Sequence, residues 1–477
     1  MKHKIIKIDK NTFLILPLFA LTAIVQMVIY FVNDFTDKQF ITLVWATIAY
    51  SFLIYFVYLR KRQIDAFLIF LALSYFFNYG DYLILYLFNN GAYHFQMIIS
   101  NDALLMAGYW VLYCTLALCM GYLSIPQKKI CMVDKQCIQK AEAERKSLRL
   151  AVIIILLITC PFYLYNGIQN IEATRSLGYG YRMVETSHEA TFVGTIASFS
   201  LPASFAYIVF RNRREKLPVV IMLLLFTSEL ISGTRIRVFC YLVCLAYYYL
   251  LNHKIRIRNV VAGIFGGYVG ISVFSLISQN RSLLTYGNMW NKICTLIAYI
   301  LNNNVITDAI WEMGTTFRTS AVVIQFCPSN VSHIWGYSYL YSLLYIIPNA
   351  LTKFVLPTIK FTDETFAPYV VSYGGIGSSY SAEAYYNYGI GGIIPLFLIG
   401  CLWGILCSLT EQHFRKNQYF RTFVCLEIIQ AFILMVRSDM VYQFRSITWA
   451  ILLIYSISIV TKKIYKSSLG RRKKIIS

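Results

Sequence analysis

The sequence predicts an all-α polytopic integral membrane protein, with about twelve transmembrane helices and one long outer loop. Hydrophobic residues make up 58% of the 477 residues and charged residues only 14%, whereas soluble domains carry about 25% charge. Mean hydropathy is +0.58. The apolar residues fall in runs of about 17–22 residues, long enough to cross a bilayer as helices, and short charged links separate the runs.

Twelve apolar runs qualify as predicted spans. The seventh and eighth are separated only by the short stretch 232–235. The first is too long for a cleavable signal peptide and has no small-residue cleavage site, so we expect it to remain as an anchor. In chain order the spans are 12–32, 40–59, 64–87, 103–124, 149–165, 191–210, 217–233, 237–252, 259–278, 390–410, 420–436 and 446–461.

The basic residues predict which side of the membrane faces the cytoplasm. The net charge is +21, and with twelve spans all the main Lys and Arg clusters fall on one side, at 2–10, 60–62, 127–149, 211–216, 254–258, 415–416 and 471–474. The positive-inside rule makes this side cytoplasmic and places both termini there. A basic tail on anionic lipid explains the charge better than nucleic-acid binding does.

Several kinds of chemistry lack their sequence signature. The twelve cysteines form no CxxC pair and mostly lie in apolar spans, so we expect neither a disulfide framework nor a metal site. There is no P-loop, glycine-rich nucleotide loop, DxD pair or zinc motif. The sequence therefore does not support a nucleotide-sugar donor or ATP as an energy source, and it predicts no cofactor.

The segment 279–389 is the predicted long extracytoplasmic loop within a single transmembrane domain, 1–477. A structureless loop of that length is improbable in a compact protein. Apolar residues recur at helical spacing in 305–326 and again in 337–351, where the pattern stops near Pro348. We therefore expect interfacial or re-entrant helices along this loop.

The loop ends in a stretch, 374–389, that is rich in glycine, serine and tyrosine and holds one carboxylate, Glu383. It leads directly into an apolar span. Such a composition at the outer membrane face predicts contact with a polar substrate. Glu383 could accept a proton from a sugar hydroxyl, and the alternative is that it orients an arginine.

Basic residues on the predicted outer side are mainly arginines, whose planar fork suits phosphate and carboxylate. Arg235 and Arg237 lie at a glycine-containing helix junction and form a candidate pyrophosphate clamp. The positive-inside rule disfavours arginine outside, so two in one junction favour a function. The alternatives are topology, surface ion pairs and lipid headgroup contacts. A further set that suggests an anionic ligand consists of Arg281, Arg318, Arg437, Asp439 and Arg445.

Glu229, Glu427 and Gln430 are polar residues inside predicted spans that need partners. Glu229 falls in the seventh span, and because intramembrane carboxylates are costly, it either pairs with an arginine or serves catalysis. Glu427 and Gln430 fall in the middle of the eleventh span. An interhelical hydrogen bond is the favoured interpretation for these two.

Four stretches resemble one family of bacterial enzymes. The stretch 374–389 with the following Gly391-Gly392, and the stretch 339–349 (YLYSLLYIIPN), resemble the O-antigen polysaccharide polymerase family, Wzy. The stretch 312–318 (EMGTTFR) and the Gly-Thr-Arg turn at 233–235 look like further positions of this family. The resemblance covers 230–405 in detail and the topology throughout.

The resemblance implies a GT-C-like, metal-independent glycosyltransferase of the bacterial cytoplasmic (inner) membrane with its active site on the outer face. It would transfer a growing glycan from undecaprenyl diphosphate onto a newly flipped, lipid-linked repeat unit, making O-antigen or capsular polysaccharide. Implied partners are the undecaprenyl-diphosphate-linked oligosaccharides, membrane lipids, a chain-length regulator (co-polymerase) and a flippase.

Each candidate residue has a role in this implied chemistry. Arginines would stabilise the charge that the diphosphate gains as it leaves. The predicted catalytic residues are Glu383 as first choice and Glu185 as second choice for the base, with Arg235 at the diphosphate. The predicted substrate-binding residues are Arg237, Arg318, Arg281 and Arg437, together with Tyr380, Tyr385 and Tyr386, which would stack on sugar faces.

Other function classes remain as alternatives. An O-antigen ligase would use the same donor with a different acceptor, and only the stretch 374–389 argues against it. A flippase or transporter would have inverted repeats and polar groups at the bilayer midplane. No repeat is detectable, and the charged residues of interest crowd the outer face. A non-catalytic scaffold would need neither the arginines nor the tyrosine-rich loop.

Overall fold

The computed structural model describes eleven parts of the chain: 15–87, 99–126, 135–177, 192–212, 215–231, 235–253, 294, 298, 305–347, 361–369 and 377–476. All regular structure in these parts is helical, with no β-strand among them. The predicted all-α class is therefore confirmed.

We number the described α-helices in chain order. They are α1 Ile15–Tyr30, α2 Phe35–Lys61, α3 Ala66–Leu87, α4 Asn101–Ser124, α5 Lys135–Leu177, α6 Phe192–Ala197, α7 Ser200–Phe210, α8 Leu217–Ile231, α9 Ile236–Asn252, α10 Val305–Gly314, α11 Thr316–Phe326, α12 Tyr337–Leu344, α13 Thr362–Phe366, α14 Tyr380–Tyr388, α15 Ile393–Arg415, α16 Tyr419–Leu434 and α17 Val441–Ile476.

Seven helical segments of the described chain are long and apolar enough to cross a membrane: Phe35–Lys61, Ala66–Leu87, Asn101–Ser124, Ala141–Ala173, Phe192–Phe210, Tyr380–Arg415 and Phe444–Lys463. They coincide with predicted spans two to six, ten and twelve. Shorter apolar helices, α1, α8 and α9, lie at spans one, seven and eight. At span eleven lies the 16-residue α16, and span nine (259–278) falls outside the described residues. Twelve spans therefore stays a prediction.

Helix α4 lies at the centre of the described fold, in contact with α1, α2, α3, α11, α14 and α15. It crosses α15 at two glycines. A Cβ on Gly121 would lie 2.0 Å from the carbonyl oxygen of Phe397, and one on Gly400 would lie 2.1 Å from that of Leu118. Only glycine permits such an approach of two backbones, so this crossing fixes α15 against the core.

A second close crossing attaches α10, in the predicted outer loop, to α3. A Cβ on Gly80 would lie 2.5 Å from the carbonyl oxygen of Ile310, and one on Gly314 would lie 2.2 Å from the backbone nitrogen of Asp81. The helices expected at 305–326 and 337–351 are present as α10, α11 and α12, with a break at Thr315. Their position at the membrane surface stays a prediction.

The glycine- and tyrosine-rich stretch differs from the expected polar loop. Residues 380–388 form α14, in which every residue from Tyr380 to Asn387 is buried. It packs against α4, α11, α12 and α13. Small side chains such as Ala382 and Ala384 allow this close packing, and the polar side chains find partners within the protein, so a polar sequence forms a core helix.

Candidate functional site

Serine and glycine define where α14 begins and ends. The Oγ of Ser379 accepts a hydrogen bond from the backbone nitrogen of Ala382 at 3.2 Å, which caps the helix N-terminus. Gly377 before the helix has φ +65° and Gly389 after it has φ +56°. This left-handed region strains residues that carry a side chain. The stretch therefore has a fixed conformation that depends on its glycines.

Glu383 is fully buried at the centre of α14. Its Oε1 accepts a hydrogen bond from Ser338 Oγ at 2.6 Å, and its Oε2 accepts one from the backbone nitrogen of Met440 at 3.0 Å. A carboxylate has about four acceptor positions, so it retains capacity for a further donor. Because Glu383 has no exposed surface, a ligand reaches it only when a covering segment such as α12 moves.

Asn387 links Glu383 to the start of α12. Its Nδ2 donates to Ser338 Oγ at 2.8 Å and to the backbone oxygen of Glu383 at 2.7 Å. The backbone nitrogen of Trp335 donates to the backbone oxygen of Asn387 at 2.9 Å. The start of α12 and the end of α14 therefore form one buried hydrogen-bonded unit around the carboxylate.

Tyr380 is completely buried. Its hydroxyl group lies 2.6 Å from Ser74 Oγ and 2.9 Å from Thr115 Oγ1, on α3 and α4. Both ring faces contact protein in this conformation. A sugar-stacking role for Tyr380 therefore stays a prediction that requires the helix to move.

Tyr385 and Tyr386 are also largely buried, at 7% and 5% relative exposure. The ring of Tyr385 meets that of Trp110 edge-on, with centroids 5.3 Å apart, and the ring of Tyr386 meets that of Phe366 edge-on at 5.2 Å. These contacts attach α14 to α4 and α13. The predicted sugar contacts of these two rings likewise remain predictions.

The residues between α16 and α17, 435–440, form a turn on the predicted outer side, which we call the outer turn. Three backbone hydrogen bonds tie it to the region around α14. Ser378 N donates to Arg437 O at 3.3 Å, Tyr380 N donates to Met435 O at 2.9 Å, and Met440 N donates to the carboxylate of Glu383. The turn that contains Arg437 therefore also holds the Glu383 carboxylate, through Met440 at its last position.

Asp439 adds side-chain bonds from the outer turn. Its carboxyl group is 2% exposed; Oδ1 accepts from Ser378 Oγ, and Oδ2 accepts from the backbone nitrogen of Thr362 at 2.9 Å. Burial, and after it the negative charge of Glu383, raises the pKa of Asp439 well above its usual range. Asp439 therefore keeps its proton at a higher pH than an exposed aspartate does.

Tyr339, on α12, carries a polar atom with unused bonding capacity. Its hydroxyl oxygen is buried and has no hydrogen-bond partner among the residues that the structure describes. Burial raises the pKa of Tyr339 well above its usual value, and the charge of Glu383 raises it further. A neutral phenol therefore lies within electrostatic range of the Glu383 carboxylate.

Two of the predicted arginines meet at one carboxylate. Arg235, at the N-terminus of α9, donates through Nη1 to Glu312 Oε2 at 2.8 Å and through Nη2 to Oε1. Arg437 Nη1 lies 3.9 Å from the same Oε1. The side chains of Arg235, Glu312 and Arg437 are 11%, 21% and 34% exposed. The structure thus brings α9, α10 and the outer turn together around one anion.

Arg318 lies near this group, on α11. Its Nε is 3.4 Å from Asp81 Oδ2 on α3, and its guanidinium lies over the ring of Trp311 at 5.8 Å from the centroid. The side chain is 31% exposed, whereas that of Asp81 is 2% exposed. The close packing of Gly314 on α3 places Arg318 beside this buried acid.

The other predicted site residues are separate from this cluster or cannot be placed. Arg237, one residue into α9, is exposed, and its charge lies near the hydroxyl groups of Tyr163 and Tyr241. Glu185 and Arg281 lie outside the described residues.

The two glutamates inside the spans, Glu229 and Glu427, accept hydrogen bonds from tyrosines on other helices. Tyr163 donates to Glu229 Oε1 at 2.7 Å, and Tyr241 donates to Glu427 Oε2 at 3.2 Å. The interhelical bond expected for Glu427 is therefore present. The side chain of Gln430 is buried and makes no hydrogen bond to any residue that the structure describes.

Sequence reasoning missed several residues of the site. Asp81 gave a usable signal, since it is a carboxylate inside a predicted span. Tyr339 and Asn387 lie in stretches that the sequence singled out, but nothing in the sequence links them or Ser338 to Glu383, because only tertiary packing brings these residues together. Across the described ranges, no group of three or more His, Cys, Asp or Glu side chains is arranged to hold a metal ion.

Comparison with known proteins places the chain in a family. No curated protein matches the sequence, and no solved structure matches it. The model of the family described as O-antigen polysaccharide polymerase Wzy matches residues 12–468. That match covers nearly the whole chain, including both the Glu383 region and the arginine cluster. The chain therefore belongs to the O-antigen polysaccharide polymerase Wzy family.

Proposed function

We propose that this protein polymerises undecaprenyl-diphosphate-linked oligosaccharide repeat units on the outer face of the cytoplasmic membrane, with a GT-C-like arrangement of its site. The observation that carries the proposal is the outer turn. This turn contains Arg437, a residue type that binds phosphate, and its Met440 donates a hydrogen bond to the buried carboxylate of Glu383 on α14.

The geometry suits a sugar attached to a diphosphate. Met440, whose backbone nitrogen donates to Glu383, follows Arg437 by three positions, so the Cα atoms of these two residues are at most about 11 Å apart. A cation and a carboxylate attached to one short turn fit a ligand with an anionic leaving group and a reacting sugar hydroxyl. The family match favours the same ligand class.

The transfer step uses both ends. An oxygen of the acceptor hydroxyl attacks the anomeric carbon of the donor sugar, and the bond from that carbon to the diphosphate oxygen breaks. The electron pair leaves on the diphosphate, where arginines stabilise the charge. The hydroxyl proton passes to the Glu383 carboxylate, which has acceptor capacity left. The Tyr339 hydroxyl, which is buried and has no hydrogen-bond partner among the described residues, is a donor available to the substrate.

The two arginines at Glu312 are the preferred diphosphate ligands. Arg235 presents two nitrogens to two oxygens of Glu312, and a phosphate offers the same paired oxygens. In this proposal the carboxylate of Glu312 occupies the anion position until the donor arrives. Arg318 and Arg237, and Arg281 and Glu185, remain secondary candidates, as do sugar contacts by Tyr385 and Tyr386.

A deletion strain tests the proposal. We expect cells without this protein to carry a single repeat unit where wild-type cells carry a long-chain glycan, and plasmid-borne wild type to restore the chain-length ladder. Glu383→Gln removes the base, so we expect it not to restore the ladder at normal protein level. The matched control is Glu172→Gln, which makes the same substitution at an exposed glutamate on α5 and should restore the ladder.

Other outcomes of the same experiment identify the alternatives. Long, unattached, lipid-linked polymer in the deletion strain would indicate a ligase. Repeat units confined to the cytoplasmic face would indicate a flippase. A full ladder with Glu383→Gln would remove Glu383 from the chemistry while leaving the polymerase assignment intact.

A further inference from the structure

Asp439 bonds to two segments that are far apart in the chain. One carboxyl oxygen accepts from the side chain of Ser378, directly before α14, and the other accepts from the backbone of Thr362, at the first residue of α13. All three groups are buried, with relative exposures of 2% for Asp439 and 1% for each partner. A buried polar group that loses its hydrogen-bond partner destabilises the folded protein, so the folded state favours keeping both bonds.

The same carboxyl group stands between the two ends of the proposed site. On one side, Ser378 also donates its backbone N–H to Arg437 O at 3.3 Å. On the other, Met440, the next residue after Asp439, donates its backbone N–H to Glu383. A change in the direction of the Asp439 side chain therefore alters the positions of Arg437 and Glu383 together.

We infer that Asp439 is a positioning residue, whose buried carboxyl group fixes Glu383 relative to Arg437 by holding Ser378 and α13 against the outer turn. The inference rests on the proposed function, because it assigns both ends of the turn to the reaction. It predicts that the two hydrogen bonds matter and that the negative charge does not.

Asparagine separates bonds from charge at this position. In Asp439→Asn the amide oxygen can accept from Thr362 N, while the amide NH₂ donates to Ser378 Oγ, which is able to accept. Asp439→Ala removes both bonds. We expect Asp439→Ala to lower the rate of polymer formation by about tenfold or more, the effect of losing a hydrogen bond to a charged or acidic group. Asp439→Asn should recover most of that loss.

A double variant tests whether Asp439 affects the polymerisation rate through its hydrogen bond with Ser378. Ser378→Ala alone should lower the rate, and Ser378→Ala with Asp439→Ala should be no slower than Asp439→Ala alone, because the same bond is removed in both. Equal, independent losses that multiply in the double variant would contradict the inference. Asp102→Ala, an exposed aspartate at the start of α4, is the control and should match wild type.

The measurement is the initial rate of chain extension in membranes of the deletion strain, normalised to the amount of tagged protein, alongside the chain-length ladder. If wild type fails to restore the ladder, the proposed function is wrong whatever Asp439 does. If wild type restores it and Asp439→Ala does so equally, the positioning role is wrong. If Asp439→Asn is as slow as Asp439→Ala at equal protein level, the charge is required and the inference is again wrong.

Discussion

Replacement of Arg235 tests the proposed diphosphate contact most directly. In the structure its guanidinium makes a paired contact to Glu312, with one hydrogen bond of 2.8 Å and a second, shorter one, and the side chain is only 11% exposed. A donor diphosphate in place of Glu312 would receive the same two bonds. A hydrogen bond to a charged group contributes about 1.5–3 kcal/mol.

We take the two bonds together as about 3 kcal/mol, since water replaces part of the lost interaction. Because about 1.4 kcal/mol corresponds to a tenfold change, Arg235→Ala should lower kcat/KM by roughly 10²-fold. Arg235→Lys keeps the charge but presents a single point donor instead of a fork, so we expect an intermediate loss of about tenfold. The assay is chain extension of a lipid-linked repeat unit by the purified protein.

The pairing with Glu312 supplies the critical comparison. If Arg235 only stabilises the fold through this ion pair, Glu312→Ala should be as harmful as Arg235→Ala, and the double variant should be no worse than either. If Arg235 binds the donor, Glu312→Ala should stay active while the double variant is as slow as Arg235→Ala. Arg415→Ala removes a half-exposed arginine paired with Glu411 and should match wild type. An Arg235→Ala rate within about threefold of wild type would refute the reasoning.

Three further predictions concern other parts of the structure. Glu312→Gln should lower KM for the lipid-linked donor, because it removes the charge that competes for Arg235 and Arg437; a raised KM measured in the same assay would contradict this. Burial and the charge of Glu383 raise the pKa of Asp439. The contribution of Asp439 to the free energy of unfolding is therefore greatest below its unfolded pKa of about 3.9 and falls by at most ~1.4 kcal/mol per pH unit until the folded pKa is reached. Thermal midpoints across pH should show this fall in wild type and a shallower one in Asp439→Asn. Gly400→Val places a side chain where a Cβ alone would lie 2.1 Å from a backbone oxygen, so protein retained in the membrane after heating should drop, whereas Gly391→Ala, with its nearest neighbour at 3.6 Å, should be unaffected.

The carboxyl group of Asp439 has titratable neighbours on every side, and these set the pH prediction. Glu383 on α14 and Asp363 on α13 carry negative charge when ionised and raise its pKa. Tyr339 and Tyr386 face it as neutral phenols. Comparison with Asp439→Asn isolates the one group, since the neighbours are the same in both proteins.

Hydropathy alone predicted much of the membrane fold. Seven of the twelve predicted spans correspond to helices of membrane-crossing length, because a bilayer demands long, continuous apolar runs. At the eleventh predicted span the helix α16 is present, but it has only 16 residues and contains the polar residues Glu427 and Gln430. Hydropathy also misassigned 380–388, since a buried helix whose polar groups bond to each other has no apolar stripe by which to recognise it.

The site was only partly predictable, for a similar reason. Glu383, Arg235 and Arg437 stand out because charge and glycine near a membrane face are unusual in sequence. Their partners do not. Ser338 and the backbone of Met440 reach Glu383 only through contacts across 45 and 57 positions of the chain, and neither residue type carries a local signal. Candidate residues could be proposed from the sequence, but the contacts among them required the fold.

The outer turn also has a consequence for how the protein is made. Arg437 O and Asp439 accept hydrogen bonds from residues synthesised earlier, and Met440 N donates one to an earlier residue, Glu383. The region around α14 therefore stays without these partners until the ribosome has passed residue 440. A chain cut at the end of α16 would retain Arg235, Glu312 and Glu383 yet leave the carboxylate without its backbone donor. The surroundings of Glu383 are therefore completed only after the penultimate helix and the turn that follows it have been synthesised.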